Sequence, residues 1–152
     1  MTDFISLMNN NQTFFFGVTF VFSLMIGSFL NVVIYRFPKM LEQGWKRECR
    51  EFLADELAKS NTDKAEEVMT LSKPSSSCPS CQHKIRFYEN IPVISWLVLR
   101  GKCSQCRAKI SFRYPLVESA TAILSVVIAA HYGVTYTTLF LLILTWGLIC
   151  LT

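Results

Sequence analysis

FFFGVTFVFSLMIGSFLNVVIY, residues 14–35, is a run of 22 residues without one charged side chain. As a helix rising about 1.5 Å per residue it reaches roughly 33 Å, enough to cross the hydrocarbon core of a bilayer. A second uncharged block, residues 136–152, lies at the lower limit of a span and is cut short by the chain end. Between them, residues 115–132 read as a further span whose only charge is Glu118. With 51% apolar residues and a mean hydropathy of +0.34, the 152-residue chain carries more apolar matter than a water-soluble domain holds. The expected fold is an α-helical integral membrane protein with about three transmembrane helices.

The first block is N-terminal, so a cleaved signal peptide is the rival reading. Residues 1–13 contain no Lys or Arg and include Asp3, whereas a signal peptide carries a basic start and a shorter apolar stretch. A retained anchor fits better. All 15 Lys and Arg lie between Arg36 and Arg113, among 9 acidic side chains, leaving an excess of +6 in this interval. Basic residues crowd both of its ends, which places the loop 36–113 on the cytoplasmic side and the tail 1–13 on the other. Anionic lipid headgroups suit this excess better than nucleic acid does, at about 1 kcal/mol per basic residue held near the surface.

Within the loop, Leu41, Trp45, Cys49, Phe52, Leu53 and Leu57 recur at three- and four-residue spacing. That spacing predicts an amphipathic helix over 41–59, packed on the loop domain or lying on the bilayer. Arg47 with Glu51, and Asp55 with Lys59, are placed to pair one turn apart. Residues 60–77 are polar and end in Lys-Pro-Ser-Ser-Ser, the composition of a partly helical segment running into a linker.

Cys78-Pro-Ser-Cys81 and Cys103-Ser-Gln-Cys106 follow, with 21 residues between the pairs. Each C-x-x-C turn presents two sulfurs on one side, and two facing turns make a tetrahedral thiolate site suited to structural zinc, with iron as the alternative. A subdomain of zinc-ribbon type is expected over about 78–106. Disulfides would require an oxidising compartment, against the cytoplasmic placement of the loop. Four thiolates leave no open position for water, so the metal is expected to fold the lobe and to do no chemistry. His83 is read as a surface residue. Cys49 and Cys150 are read as packing residues.

Two motifs flank the membrane blocks. Gly27 and Ser28 are small enough for close helix contact, and Asn31 is a polar group in an apolar segment that must find a partner. Arg36 closes the block as an interfacial anchor. Beyond the second cysteine pair, Arg113-Tyr114-Pro115 opens a helix with Glu118 in its first turn, where the macrodipole favours a carboxylate. An intramembrane carboxylate beside basic residues is also a site hypothesis.

Taken in order, GSFLNVVIYRFP (27–38), CPSC (78–81), NIPVISWLVLRGKCSQC (90–106) and ISFRYPLVE (110–118) resemble the N-terminal half of bacterial type IV prepilin peptidases. The resemblance implies a multi-pass enzyme of the bacterial inner membrane. Such an enzyme removes the leader from type IV pilins and type II secretion pseudopilins as an aspartic endopeptidase. It then methylates the new N-terminal amine with S-adenosylmethionine.

The chain departs from the family in its acids. Asp3, Asp55 and Asp63 are its only aspartates, and none falls in an apolar block, so the chain by itself is expected to lack peptidase activity. The first family aspartate is expected just beyond Thr152, which makes the chain read as a fragment or interrupted gene. For the methyltransferase the resemblance points to Gly27, Ser28, Asn31, Arg36 and Arg113 around the cofactor, with Glu118 as amine-orienting group or base. No G-x-G-x-x-G loop is present. The alternative reading is a non-catalytic membrane-anchored zinc module that binds pilin leaders or pilus and secretion assembly proteins.

Overall fold

The computed structural model is mostly helical and describes residues 7–8, 10–54, 70–71 and 75–151. Its main elements are α1 (Gln12–Ala54), a 3-10 turn (Phe87–Asn90), α2 (Ile94–Val98), α3 (Arg113–Tyr132) and α4 (Tyr136–Leu151).

α1 corrects one expectation. Instead of a span ending at residue 35 and a separate amphipathic helix, one helix of 43 residues, roughly 65 Å long, runs straight through Pro38. Proline removes the N–H that would bond to the Ile34 carbonyl, but Pro38 is exposed and its neighbours on both sides are competent helix formers. The described part of the expected amphipathic helix is therefore an extension of the first span. Residues 55–59, most of the 60–77 linker, the Asp55–Lys59 pair and all three aspartates lie outside the described residues.

The apolar stripe on this extension is not packed against the described residues: Trp45 is 64% and Phe52 82% exposed, and Leu41 and Leu53 are exposed too. Cys49, read as a packing residue, is likewise exposed, because no described element comes back over that stretch of helix. Arg47 and Glu51 do pair, at 3.8 Å, as do Glu42 and Lys46 at 2.8 Å. All four side chains are mostly solvated, so water screens both pairs and each adds little to stability.

The core lies between α1 and α3. α1 contributes Phe15, Thr19, Ser23, Gly27, Leu30 and Asn31, one ridge at near four-residue spacing. α3 answers with Glu118, Thr121, Ala122, Ser125 and Ala129. Most of these side chains are small, so the backbones approach closely. A Cβ added at Gly27 would lie 2.8 Å from the Glu118 Cα, closer than packed atoms allow. The hydroxyls of Thr121 and Ser125 donate to the carbonyls of Val117 and Thr121, each at 2.7 Å, and so travel into the seam already satisfied. Ser23 is fully buried, and its hydroxyl has no partner among the described residues.

α4 returns through Gly133, whose φ of 63° suits a residue without a side chain and whose N–H bonds to the Ala129 carbonyl. Thr138 buries its hydroxyl on the Gly133 carbonyl at 2.6 Å. Trp146 then docks α4, donating its indole N–H to the Ser125 hydroxyl at 3.1 Å and setting its ring 6.0 Å from Phe22.

Polarity in this bundle is inverted relative to a water-soluble one. Thr, Ser, Asn and Glu lie inside, while Phe20, Met25, Phe29, Leu116, Ile123 and Val127 face outward and are exposed. This pattern belongs to a solvent of hydrocarbon, in which helix contact depends on close packing and polar links and not on apolar burial. α1 and α3 are both long and apolar enough to cross a bilayer, and α4, at 16 residues, is shorter.

Gly27→Val should force the helices apart and cost about 2–4 kcal/mol, lowering the unfolding midpoint in detergent by several degrees. Ser23→Ala keeps the volume and removes an unpaired hydroxyl, so its midpoint should equal or exceed that of the parent chain.

Candidate metal centre

Two ten-residue segments, 76–85 and 101–110, carry C-x-x-C and adopt the same local structure. In the first, the Cys78 N–H bonds to the His83 carbonyl, Gln82 N–H to the Cys78 carbonyl, and Ile85 N–H to the Ser76 carbonyl, all at 2.9 Å. In the second, Cys103 bonds to Ala108, Arg107 to Cys103 and Ile110 to Gly101 in the same pattern. A single antiparallel bridge closes each turn, Ser77 with Lys84 and Lys102 with Lys109. The residue after each second cysteine takes a positive φ, 59° at Gln82 and 57° at Arg107, which turns the chain back sharply. The two C-x-x-C segments are thus a repeat of backbone structure as well as of cysteine spacing.

These turns face each other and bring the sulfurs of Cys78, Cys81, Cys103 and Cys106 within 4.8 Å of one another. Cys78 and Cys106 lie 3.8 Å apart across the two turns. A tetrahedron with metal–sulfur bonds of about 2.3 Å has edges of about 3.8 Å, so the spacing fits a tetrahedral thiophilic ion and far exceeds a disulfide bond. All six cysteines are free thiols.

The backbone also prepares the sulfurs electrostatically. The N–H groups of Cys81 and Ser80 point at the Cys78 sulfur and hold its pKa down at about 6, against the cost of burial. Those of Cys106 and Gln105 lower Cys103 in the same way. The first cysteine of each turn is therefore biased toward thiolate, the form that binds metal.

Around the sulfurs runs a polar clasp that the sequence reading missed. Glu89 accepts the Arg86 N–H at 2.8 Å and lies 3.3 Å from His83 Nε2. The Ser104 side chain, more than any other group, holds the Glu89 carboxyl below its ordinary range, followed by the Arg86 N–H. Glu89 so joins the first cysteine turn to the second. His83, read as a surface residue, is half-buried in this clasp and does not belong to the sulfur cluster. The available signal was the three-residue step from Arg86 to Glu89, a helix-start spacing.

Trp96 supports the second turn. Its indole N–H donates to the Ile110 carbonyl at 3.3 Å, and its ring meets Phe112 edge-on at 5.5 Å. Gly101, with φ of 65°, is fixed twice over, because a Cβ there would strike the Trp96 ring at 2.8 Å.

Of the six residues expected around a methyl-donor site, four meet at the α1–α3 seam. Gly27 touches the Glu118 backbone, the Ser28 side chain interacts with the Glu118 carboxylate, and Asn31 donates to the Tyr114 carbonyl at 3.1 Å. Glu118 accepts the Val93 N–H at 2.7 Å and is 7% exposed. Arg36 lies apart from these four, buried and donating to the Thr70 and Leu71 carbonyls at 2.9 and 3.3 Å. Arg113 is exposed at the start of α3. Val93, which the sequence reading passed over, is the strained link: its φ of 59° and ψ of −48°, with the Ile94 N–H on the Pro92 carbonyl, form a γ-turn rare for a β-branched residue.

Metal analysis of the purified chain should find about one zinc equivalent, lost on Cys103→Ser. Chelation or that substitution should open the segment between Cys78 and Cys106 to protease at Lys84 and Lys102, with cleavage faster by about tenfold or more.

Residues 21–132 match the family model described as Bacterial Peptidase A24 N-terminal domain. The Prepilin leader peptidase/N-methyltransferase of Pseudomonas aeruginosa is 49% identical over 133 residues, 88% of this chain and 44% of that protein. The proteins of the same name from Aeromonas salmonicida and Neisseria gonorrhoeae are 47% identical over 152 residues and 49% identical over 132. They are covered over 51% and 45% of their lengths, by 100% and 87% of this chain. The chain spans about half the length of the curated relatives it matches. No solved structure matches it. Sequence motifs, sulfur geometry and these matches agree that the chain belongs to the family of the bacterial peptidase A24 N-terminal domain.

Proposed function

We propose that this chain is the membrane-embedded, metal-bearing N-terminal part of a prepilin peptidase and N-methyltransferase of the bacterial inner membrane. The observation that carries this reading is the family match running through the first long helix, the four-cysteine lobe and the second long helix. In it, α1, α3 and α4 are transmembrane, the interval 36–113 is cytoplasmic, and the substrates are leaders of type IV pilins or type II secretion pseudopilins. Zinc on Cys78, Cys81, Cys103 and Cys106 is structural: it clamps the two turns and leaves no coordination position for substrate.

Hydrolysis of a leader peptide by carboxylates requires one ionised group to activate water and one protonated group to give a proton to the leaving amine. The apolar blocks 14–35, 115–132 and 136–152 hold one carboxylate, Glu118, and it is engaged by the Val93 N–H. The chain by itself therefore cleaves no prepilin. Methyl transfer asks for less, namely a neutral amine aligned with the donor methyl and an acceptor for its proton. Gly27, Ser28, Asn31 and Glu118, with Arg36 and Arg113 at the basic end of the helices, are the residues assigned to that step. S-adenosylmethionine supplies the methyl group when bound. Among the described residues the seam is closely packed at Gly27, so cofactor binding rests on the family and not on this geometry.

A second reading is favoured by that same closure: a non-catalytic metal-bearing membrane module for pilin leaders or assembly proteins, in which Glu118 serves only the fold. Glu118→Gln in a full-length relative separates the two. If Glu118 handles the amine, methylation should fall about 100-fold with leader cleavage nearly unchanged. If it serves only the fold, both activities and the unfolding midpoint should fall together. Incubation of this chain with a matched prepilin should give no cleaved product, and turnover above background would refute the assignment of hydrolysis to residues outside it.

A further inference from the structure

Residues 91–99, Ile-Pro-Val-Ile-Ser-Trp-Leu-Val-Leu, carry no charge and are followed at once by Arg100 and Lys102. Their depth is set by one bond. Val93 N–H donates to Glu118 Oε2 at 2.7 Å, and Glu118 lies five residues inside α3, about 7.5 Å along the helix from Arg113. Trp96 is tied at the same end of α3 through Phe112 and the Ile110 carbonyl. α2 thus sits beside the first turns of α3 and not above them. Its outward side chains have no described partner surface over them: Ile94 is 57%, Leu97 60% and Val98 75% exposed. Leu97 continues into Phe112, Leu116 and Ile123 along a groove of about 360 Å³ between α2 and α3 lined almost wholly by apolar groups, while Ile94 and Val98 open on the other side of α2, toward His83, Arg86 and Glu89. The backbone is fit for a dry setting, since the N–H groups of Val93, Ser95, Leu97, Leu99, Arg100 and Gly101 all find acceptors within the fold.

We propose that 91–99 is a wedge seated in the cytoplasmic leaflet of the bilayer. Phospholipid acyl chains cover Ile94, Leu97 and Val98 and enter the groove against α3, while Arg100 and Lys102 reach up to lipid phosphates. This rests on the reading of α1 and α3 as membrane-spanning. Lipid is favoured over a protein partner by three features together: the depth fixed by Glu118, the continuity of Leu97 and its groove with the outer side of α3, and the cations that follow the uncharged run. The metal lobe is then held at the membrane surface by its own connecting segment as well as by the helices.

The test is lipid photocross-linking of the full chain in vesicles of phosphatidylethanolamine and phosphatidylglycerol. p-Benzoylphenylalanine is placed singly at Leu97, Val98, Val127 and Glu48. Val127 reports the outer face of α3, and Glu48, an exposed acid 12 residues beyond Arg36, serves as the reference outside the apolar block. Lipid adducts at Leu97 and Val98 are expected at a yield comparable to Val127 and about tenfold or more above Glu48. Two wedge positions guard against a single variant that misfolds. Adducts at Val127 without any at Leu97 or Val98, or cross-links from those two to protein alone, overturn the wedge and leave the membrane reading standing. Absence of lipid adducts at Val127 overturns the membrane reading and the wedge with it.

Discussion

Between Gly27 and Glu118 there is room for a hydrogen atom and not for a methyl group. That close approach sets the register of α1 on α3, and much of the structure follows from it. It puts Ser28 beside the Glu118 carboxylate and brings Asn31 level with the Tyr114 carbonyl. In hydrocarbon an unpartnered amide or carboxylate costs several kcal/mol, so these links resist sliding of one helix along the other. Small residues give proximity, and the polar groups among them give register.

The metal lobe is fastened to this register by two connections. Glu118 reaches out of the seam to the Val93 backbone, while Trp96 spans from the γ-turn segment to the Ile110 carbonyl and the Gly101 backbone of the second cysteine turn. The lobe cannot rotate freely on the end of α3, because its central segment is held from below by a carboxylate and from one side by an indole. The geometry of the cysteine cluster and the helix packing are therefore mechanically linked, through fewer than ten residues of chain between Val93 and Gly101.

Much of this could be read from residue order. The four ligand cysteines announce themselves by spacing, and Gly27 with Ser28 marks a contact face by size alone. The buried ridge of Ser23, Thr121, Ser125 and Ala129 was harder to see, since small residues scattered in a hydrophobic run produce no amphipathic period when the outer face is apolar too. The boundary at residue 35 rests on charge alone, and charge marks where an apolar block ends and not where a helix does, so α1 continues through Pro38. Val93 was invisible, because a valine at positive φ is chosen by a carboxylate 25 residues further on and by nothing in its own neighbourhood. Glu89 belongs to the same class, a local acid whose role depends on Ser104 in the other turn.

The near identity of the two cysteine turns carries a cost of its own. Each half supplies two sulfurs on the same scaffold, so a half from one molecule is stereochemically acceptable to the complementary half of another. An ion held there would be kept intramolecular by effective concentration: a short tether holds its two ends at about millimolar or above, orders beyond the concentration of neighbouring chains in dilute solution. Here the tether is itself ordered by Trp96 and Glu89, which raises that local concentration further. A chain whose tether lost that order would be competent to share such an ion in trans, and a metal held this way would become a cross-link between molecules.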